Sequence, residues 1–66
     1  MKITLNGQPQ EIADGLNIQS LIEQLNLTSQ ALVVEYNDTI LQQEDWPKTV
    51  LSENDRLELI KFCGGG

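Results

Sequence analysis

Apolar and polar residues alternate at the start of the chain, and this period of two predicts β-structure. Ile3 and Leu5 lie at alternate positions, and the Asn6-Gly7 dipeptide that follows tolerates the positive φ angles of a two-residue hairpin turn. A second strand should then run from about Gln8 to Ile12. Because Pro9 has no amide donor, this strand should lie at an edge of the sheet.

The period changes in the next segment, where four apolar residues fall at the spacing of one helical face. They are Ile18, Leu21, Ile22 and Leu25. This pattern predicts a helix from about Ile18 to Leu25. Asn17 is placed to cap its first turn, and Leu16 can pack on Leu21 as a hydrophobic staple. Asn26 can end the helix in a left-handed conformation.

The second half of the chain returns to strand-like patterns. The segment ALVVEYN predicts an interior strand with three residues on one face, Leu32, Val34 and Tyr36, and with Val33 and Glu35 on the other. The following segment is irregular, with a short strand at Ile40 and Leu41 and a single turn in QQEDW that ends at Pro47.

The segment SENDR predicts a turn, and RLELIKF predicts a last strand. Leu57, Leu59 and Lys61 should share one face of this strand. Glu58, Ile60 and Phe62 should share the other.

The predicted order is two strands, a helix, a strand, a short irregular element and a strand. One amphipathic helix on one mixed sheet buries both apolar faces, which predicts a two-layer α+β domain. If the first and last strands are adjacent and parallel, this is a β-grasp architecture. We expect the domain to span residues 1–62 and a flexible C-terminal tail to span residues 63–66, because glycine loses the most backbone entropy on ordering.

Length and charge restrict the classes of function. A chain of 66 residues buries only about 60% of its unfolded surface, so a large active-site cleft is not expected. Ten acidic and four basic residues give a net charge of −6, which disfavours nucleic acid and anionic membranes and favours a partner with a basic face. An acidic interaction domain, such as an inhibitor that mimics a phosphate backbone, would have the same composition.

The remaining features point to the cytoplasm. Cys63 is the only cysteine, so no intrachain disulfide can form. No segment after Met1 resembles the apolar core of a signal peptide, and no apolar run approaches the roughly 20 residues that cross a bilayer. We therefore expect a soluble cytoplasmic protein.

The chain closely resembles the ThiS family, the sulfur carriers of thiamine biosynthesis, over essentially its whole length. The resemblance lies in MKITLNGQ, LIEQLNL, VVEYN and DRLELIKFCGGG. Its sharpest element is the terminal diglycine, Gly65-Gly66, which ubiquitin and the small subunit of molybdopterin synthase share. The short chain and the spacing of VVEYN and DRLELIKF favour the thiamine branch. The resemblance implies a ubiquitin-like β-grasp fold.

The resemblance also implies a co-substrate rather than an enzyme, with no bound cofactor. A ThiF-like adenylating enzyme would use ATP to activate the carboxylate of Gly66, and a persulfide would supply sulfur. The thiocarboxylate would then donate sulfur on a ThiG-like thiazole synthase. Gly64 and Gly65, which lack a Cβ, would thread a narrow channel in the partner.

Ile60 and Phe62 are the predicted partner-binding residues, because exposed apolar side chains near the tail are better explained by binding than by stability. A loop that covers Phe62 as core is the alternative. Cys63 is interpreted as a small hydrophobe, since the chain has no histidine to activate it.

Two further features are interpreted as structural. The acidic clusters Glu44-Asp45 and 53–55 should be solvated loops rather than metal ligands, and Trp46 should be packed rather than an exposed anchor. Several alternatives stay open. By itself the glycine run is also typical of a frayed end or a fusion remnant. Within the carrier class, sulfur could go to molybdopterin or tRNA, or the tail could be conjugated to lysine.

Overall fold

A computed structural model describes residues 1–27 and 32–61 and has one α-helix packed on one face of a five-stranded sheet. The architecture confirms the predicted α+β class. In chain order the elements are β1 (Lys2–Leu5), β2 (Gln8–Glu11), α1 (Ile18–Gln24), β3 (Leu32–Tyr36), β4 (Thr39–Leu41), a 3-10 helix (Gln43–Lys48) and β5 (Arg56–Lys61).

The strand order is β2-β1-β5-β3-β4, with β5 in the centre of the sheet. β1 and β5 are parallel, with Thr4 opposite Arg56 and Leu5 opposite Leu57, while the other pairs are antiparallel. This parallel pair makes the connection between the two halves a crossover and confirms the β-grasp architecture. β2 is an edge strand, as the position of Pro9 predicted.

An asparagine caps the start of α1, and another asparagine follows its C-cap in a left-handed conformation, as predicted. Asn17 Oδ1 accepts a hydrogen bond from Ser20 N at 2.7 Å, and Asn26 adopts a left-handed conformation with φ of 57°. The prediction that Leu25 belongs to the apolar face is wrong, because its side chain is 38% exposed. The helix ends at Gln24. At Leu25 the backbone is no longer helical, since its ψ is 0°. Leu27 packs against the core beyond this point.

The segment after β3 is more regular than predicted. Asn37 and Asp38 have φ angles of 47° and 71°, so β3 and β4 form a second hairpin through a two-residue turn like that of Asn6 and Gly7. The single turn expected in QQEDW is a 3-10 helix that includes Pro47 and continues to Lys48. Proline fits there because its φ near −65° lies within the 3-10 range.

The core lies between α1, the 3-10 helix and the inner face of the sheet. Trp46 is 2% exposed, which confirms the prediction that it is packed. Its Nε1 has no hydrogen-bond partner among the described residues. The buried apolar side chains are Ile3, Ile18, Leu21, Ile22, Val34, Trp46, Leu51, Leu57 and Leu59.

Candidate functional site

The C-terminal end of β5 separates a buried face from an exposed one. Leu57 and Leu59 are buried in the core, at 1% and 8% exposed, whereas Ile60 is 46% exposed on the opposite face. This alternation confirms the predicted strand and its two faces up to Lys61, which is exposed. The predictions for Phe62 and the tail, namely Cys63, Gly64, Gly65 and Gly66, lie outside the described residues.

The sheet face opposite α1, here called the open face, carries an apolar strip beside the end of β5. Val33 on β3 lies directly opposite Ile60 on β5, and Ile40 on β4 lies opposite Glu35, so these side chains share the open face. Ile40 is 63% exposed. The sequence predicted Ile60 as a binding residue but not Ile40. The Asn37-Asp38 turn could have placed Ile40 on this face.

The open face also carries a pair of unbalanced carboxylates. Glu35 and Glu58 are direct cross-strand partners on β3 and β5. Among the described residues the ion pairs are Met1–Asp14 and Arg56–Asp38, so neither glutamate forms an ion pair with these residues. Both glutamates line a shallow cavity of about 170 Å³ together with Thr4, Gly7, Asp38, Arg56 and Leu57. This arrangement suits the cationic side chain of a partner.

Asp55 organises the start of β5, and the prediction that it lies in a solvated acidic loop is wrong. Its side chain is 8% exposed and accepts hydrogen bonds from Tyr36 OH at 2.8 Å, Asn37 Nδ2 at 3.2 Å and Ser52 N at 2.8 Å. Three donors make burial of a carboxylate tolerable. Burial and the hydrogen bond to Asp55 raise the pKa of Tyr36 above its ordinary value.

The other acidic residues behave as surface groups. Glu44 and Glu53 are exposed, and Asp45 is half-buried. Within residues 1–27 and 32–61, no three His, Cys, Asp or Glu side chains are grouped so that they could hold a metal ion. In the same ranges, no helix has the length and apolar character needed to span a membrane.

Asn6 contacts the last strand near the candidate site. From the sequence it was predicted only to form the first hairpin turn. Its Oδ1 accepts a hydrogen bond from Leu59 N at 2.8 Å, across 53 residues of sequence. The β1–β2 turn is thereby tied to the last strand, beside Ile60. An Asn-Gly pair predicts the turn, but the partner of the side chain depends on the parallel pairing of β1 and β5.

Comparison with known proteins agrees with this geometry. Residues 3–66 match the model of the ThiS family. The crystal structure of the thiamine biosynthesis protein ThiS from Geobacter metallireducens superposes with a TM-score of 0.85 at 32% identity, over 100% of both chains. The sulfur carrier protein ThiS of Escherichia coli is 27% identical over 100% of both chains.

A longer relative also contains a region of this kind. The whole chain aligns, at 33% identity, with 20% of the thiazole synthase of Magnetococcus marinus. The family match covers nearly all of the chain, and the fold match is equally complete. The chain therefore belongs to the ThiS family, the family of the E. coli sulfur carrier protein.

Proposed function

We propose that this protein carries sulfur for thiazole formation in thiamine biosynthesis, as a thiocarboxylate on Gly66. The observation that supports this most strongly is the position of β5. This strand lies in the centre of the sheet, between β1 and β3, and the sequence continues from it through Cys63 and three glycines to the terminal carboxylate. A central strand is a firm base from which a slender segment can present a reacting group to another protein.

The carboxylate must first be activated, because an ionised carboxylate resists nucleophilic attack. A ThiF-like adenylating enzyme transfers AMP from ATP to the Gly66 carboxylate and releases pyrophosphate. The outer sulfur of a persulfide then attacks the acyl carbon and expels AMP, which leaves an acyl disulfide. A second thiol attacks the donor's sulfur in this linkage, so that the thiocarboxylate leaves and the thiols end as a disulfide.

The thiocarboxylate then donates its sulfur on thiazole synthase. A region similar to this chain makes up 20% of the thiazole synthase of M. marinus, which supports a direct association between the two activities. In this scheme the protein is a co-substrate, and the catalytic groups belong to its partners. Because the scheme uses ATP and thiol-bound sulfur, we place it in the cytoplasm.

The open face is the proposed docking surface for these partners. Ile60 supplies apolar contact, and Ile40 extends the apolar surface to β4. Phe62, as predicted from the sequence, adds to this contact. Glu35 and Glu58 attract a basic group. Gly64 and Gly65 allow the chain to enter a channel too narrow for side chains.

Intact-mass spectrometry tests the proposal. The protein is incubated with ATP, an adenylating enzyme that accepts E. coli ThiS, and a persulfide donor with a thiol. E. coli ThiS is the positive control, and omission of ATP is the negative control. We expect ATP-dependent replacement of one oxygen by sulfur, located on Gly66 by fragmentation. The proposal would be refuted if the E. coli protein is converted and this protein is not. The refutation requires the same result with the adenylating enzyme from the organism that supplies this protein.

A further inference from the structure

The last hydrogen bond between the β1 side of the sheet and β5 comes from a side chain. Thr4 N donates to Asp55 O at 2.8 Å, and Asn6 N donates to Leu57 O at 2.9 Å, as in a regular parallel ladder. The next amide of β5 on this side, Leu59 N, donates to Asn6 Oδ1 at 2.8 Å. The side chain therefore continues the ladder one step beyond the backbone of β1.

The conformation of the turn explains why a side chain is needed there. Asn6 has φ of 50° and Gly7 has φ of 80°, so the backbone turns away from β5 into the hairpin with β2. A buried or half-buried amide without a partner is costly. Asparagine tolerates the left-handed region and has a short amide side chain that can reach the adjacent strand.

On the opposite side, β5 is held by β3 up to its last described residue. Ile60 is paired with Val33, and Lys61 with Leu32. Without the Asn6 side chain, β5 would be held on both sides only as far as Leu57. The segment that bears Ile60 and leads to the tail would then be held from β3 alone.

We propose that Asn6 is a positioning residue for the sulfur-carrying terminus. The inference rests on the function proposed above. By tying Leu59 to the β1–β2 turn, Asn6 determines the direction in which β5 leaves the sheet, and hence where Gly66 lies once the open face is docked. A displacement of about 1 Å at a reacting group can cost on the order of 100-fold in rate.

The structure contains a matched control at the other end of the same strand. Asn37 also occupies the first position of a two-residue hairpin turn, with φ of 47°, and its Oδ1 accepts from Arg56 N at 2.8 Å. It makes the same kind of bond to β5, but at the end remote from the tail. It also donates to Asp55, so its loss should lower stability at least as much.

Three variants separate positioning from stability. Asn6→Gly keeps the turn conformation and removes the acceptor, Asn6→Asp keeps an acceptor oxygen at the same reach, and Asn37→Gly is the control. Each is converted with saturating adenylating enzyme, ATP and persulfide, well below its unfolding temperature. Amide hydrogen exchange at Leu57 and Leu59 is measured without any partner.

In Asn6→Gly, hydrogen exchange at the Leu59 amide should be about tenfold faster, because this amide loses its hydrogen bond. The exchange rate of the Leu57 amide should not change. Its maximal rate of thiocarboxylate formation should fall about 10- to 100-fold. Asn6→Asp should restore most of the protection of the Leu59 amide and most of the rate of thiocarboxylate formation. Asn37→Gly should be converted at the wild-type rate.

Two results would overturn the assignment. If Asn6→Gly is converted at the wild-type rate, or if Asn37→Gly is slowed equally, Asn6 is only structural. Absence of any conversion of wild type, with E. coli ThiS converted, would instead refute the proposed function and this role with it.

Discussion

Glu35 on β3 and Glu58 on β5 lie directly opposite each other on the open face, with no cation of the described residues paired to either. Like charges in this position lower the stability of a sheet. The pair is therefore better explained by an interaction with a partner than by folding. It lies on the same strands as Val33 and Ile60, so charge and apolar contact are available together.

Replacing both glutamates should change stability and binding in opposite directions. For Glu35→Gln with Glu58→Gln, we expect an increase of about 0.2–1 kcal/mol in the free energy of unfolding, because the repulsion is removed. Association with the adenylating enzyme at low salt should slow by about tenfold and depend less on salt. Urea unfolding and stopped-flow binding measure the two effects.

The control carries the same change in net charge on the helix side of the molecule. Glu23 and Glu44 are exposed on α1 and on the 3-10 helix, away from the open face. If their glutamine variants slow association equally, overall charge rather than the Glu35–Glu58 pair directs the encounter.

Neighbouring residues on opposite faces of β5 should separate binding from folding. Ile60→Ser should change the free energy of unfolding by no more than about 0.5 kcal/mol, because the side chain is on the surface, and should weaken partner binding by more than about 1 kcal/mol. Leu59→Ala should lose about 2–5 kcal/mol of stability, because the residue is buried. The fluorescence of Trp46, the only tryptophan, reports unfolding, and calorimetry reports binding. A large stability loss in Ile60→Ser would contradict the docking surface.

Tyr36 should make stability depend on pH in the alkaline range. Because burial and the hydrogen bond to Asp55 raise the pKa of Tyr36 in the folded protein, its neutral form stabilises the fold below the unfolded value of about 10. This contribution is lost as the pH rises through the folded pKa. Phenolate absorbance of this single tyrosine should therefore appear at higher pH in folded than in unfolded protein.

Two variants check the cause of the raised pKa. Asp55→Asn should lower the pKa of Tyr36 toward its ordinary value, and Tyr36→Phe should remove this part of the alkaline loss of stability. If Tyr36 titrates at the same pH in the folded and unfolded proteins, neither its burial nor its hydrogen bond to Asp55 raises its pKa in solution.

Deleting Gly66 should nearly abolish sulfur loading even though a diglycine remains at the end. The variant ends in Gly64-Gly65 and is shorter by one residue, or roughly 3.3–3.6 Å of extended chain. Displacing the reacting carboxylate by this distance should lower the rate strongly, because about 1 Å already costs on the order of 100-fold. Intact-mass spectrometry compares conversion of the two proteins, each with Cys63→Ser to exclude disulfide-linked dimers. Equal conversion would show that any terminal diglycine suffices.

Local patterns in the sequence were sufficient to predict most secondary structure and the two faces of β3 and β5. Asn-Gly predicted the first hairpin, Asn17 the helix N-cap, and alternation in RLELIKF the burial of Leu57 and Leu59. These features depend on residues that are close in sequence, so their physical causes are local. The resemblance to the ThiS family added the β-grasp fold, which the superposition on the Geobacter metallireducens protein confirms, and membership of the family, which the family match confirms.

Features that depend on distant residues could be decided only by the tertiary structure. From its neighbours in sequence, Asp55 was predicted to lie in a solvated acidic turn. In the fold, Tyr36 and Asn37 donate hydrogen bonds to its carboxylate from β3 and the turn that follows it. The side-by-side placement of Ile40, Glu35 and Glu58 depends on the pairing of three strands, and the hydrogen bond from Leu59 to Asn6 requires the parallel pairing of β1 and β5. The sequence by itself determined which elements form and what the terminus resembles. The tertiary structure decided which side chains meet, because packing and hydrogen bonding between distant strands leave no periodic signal along the chain.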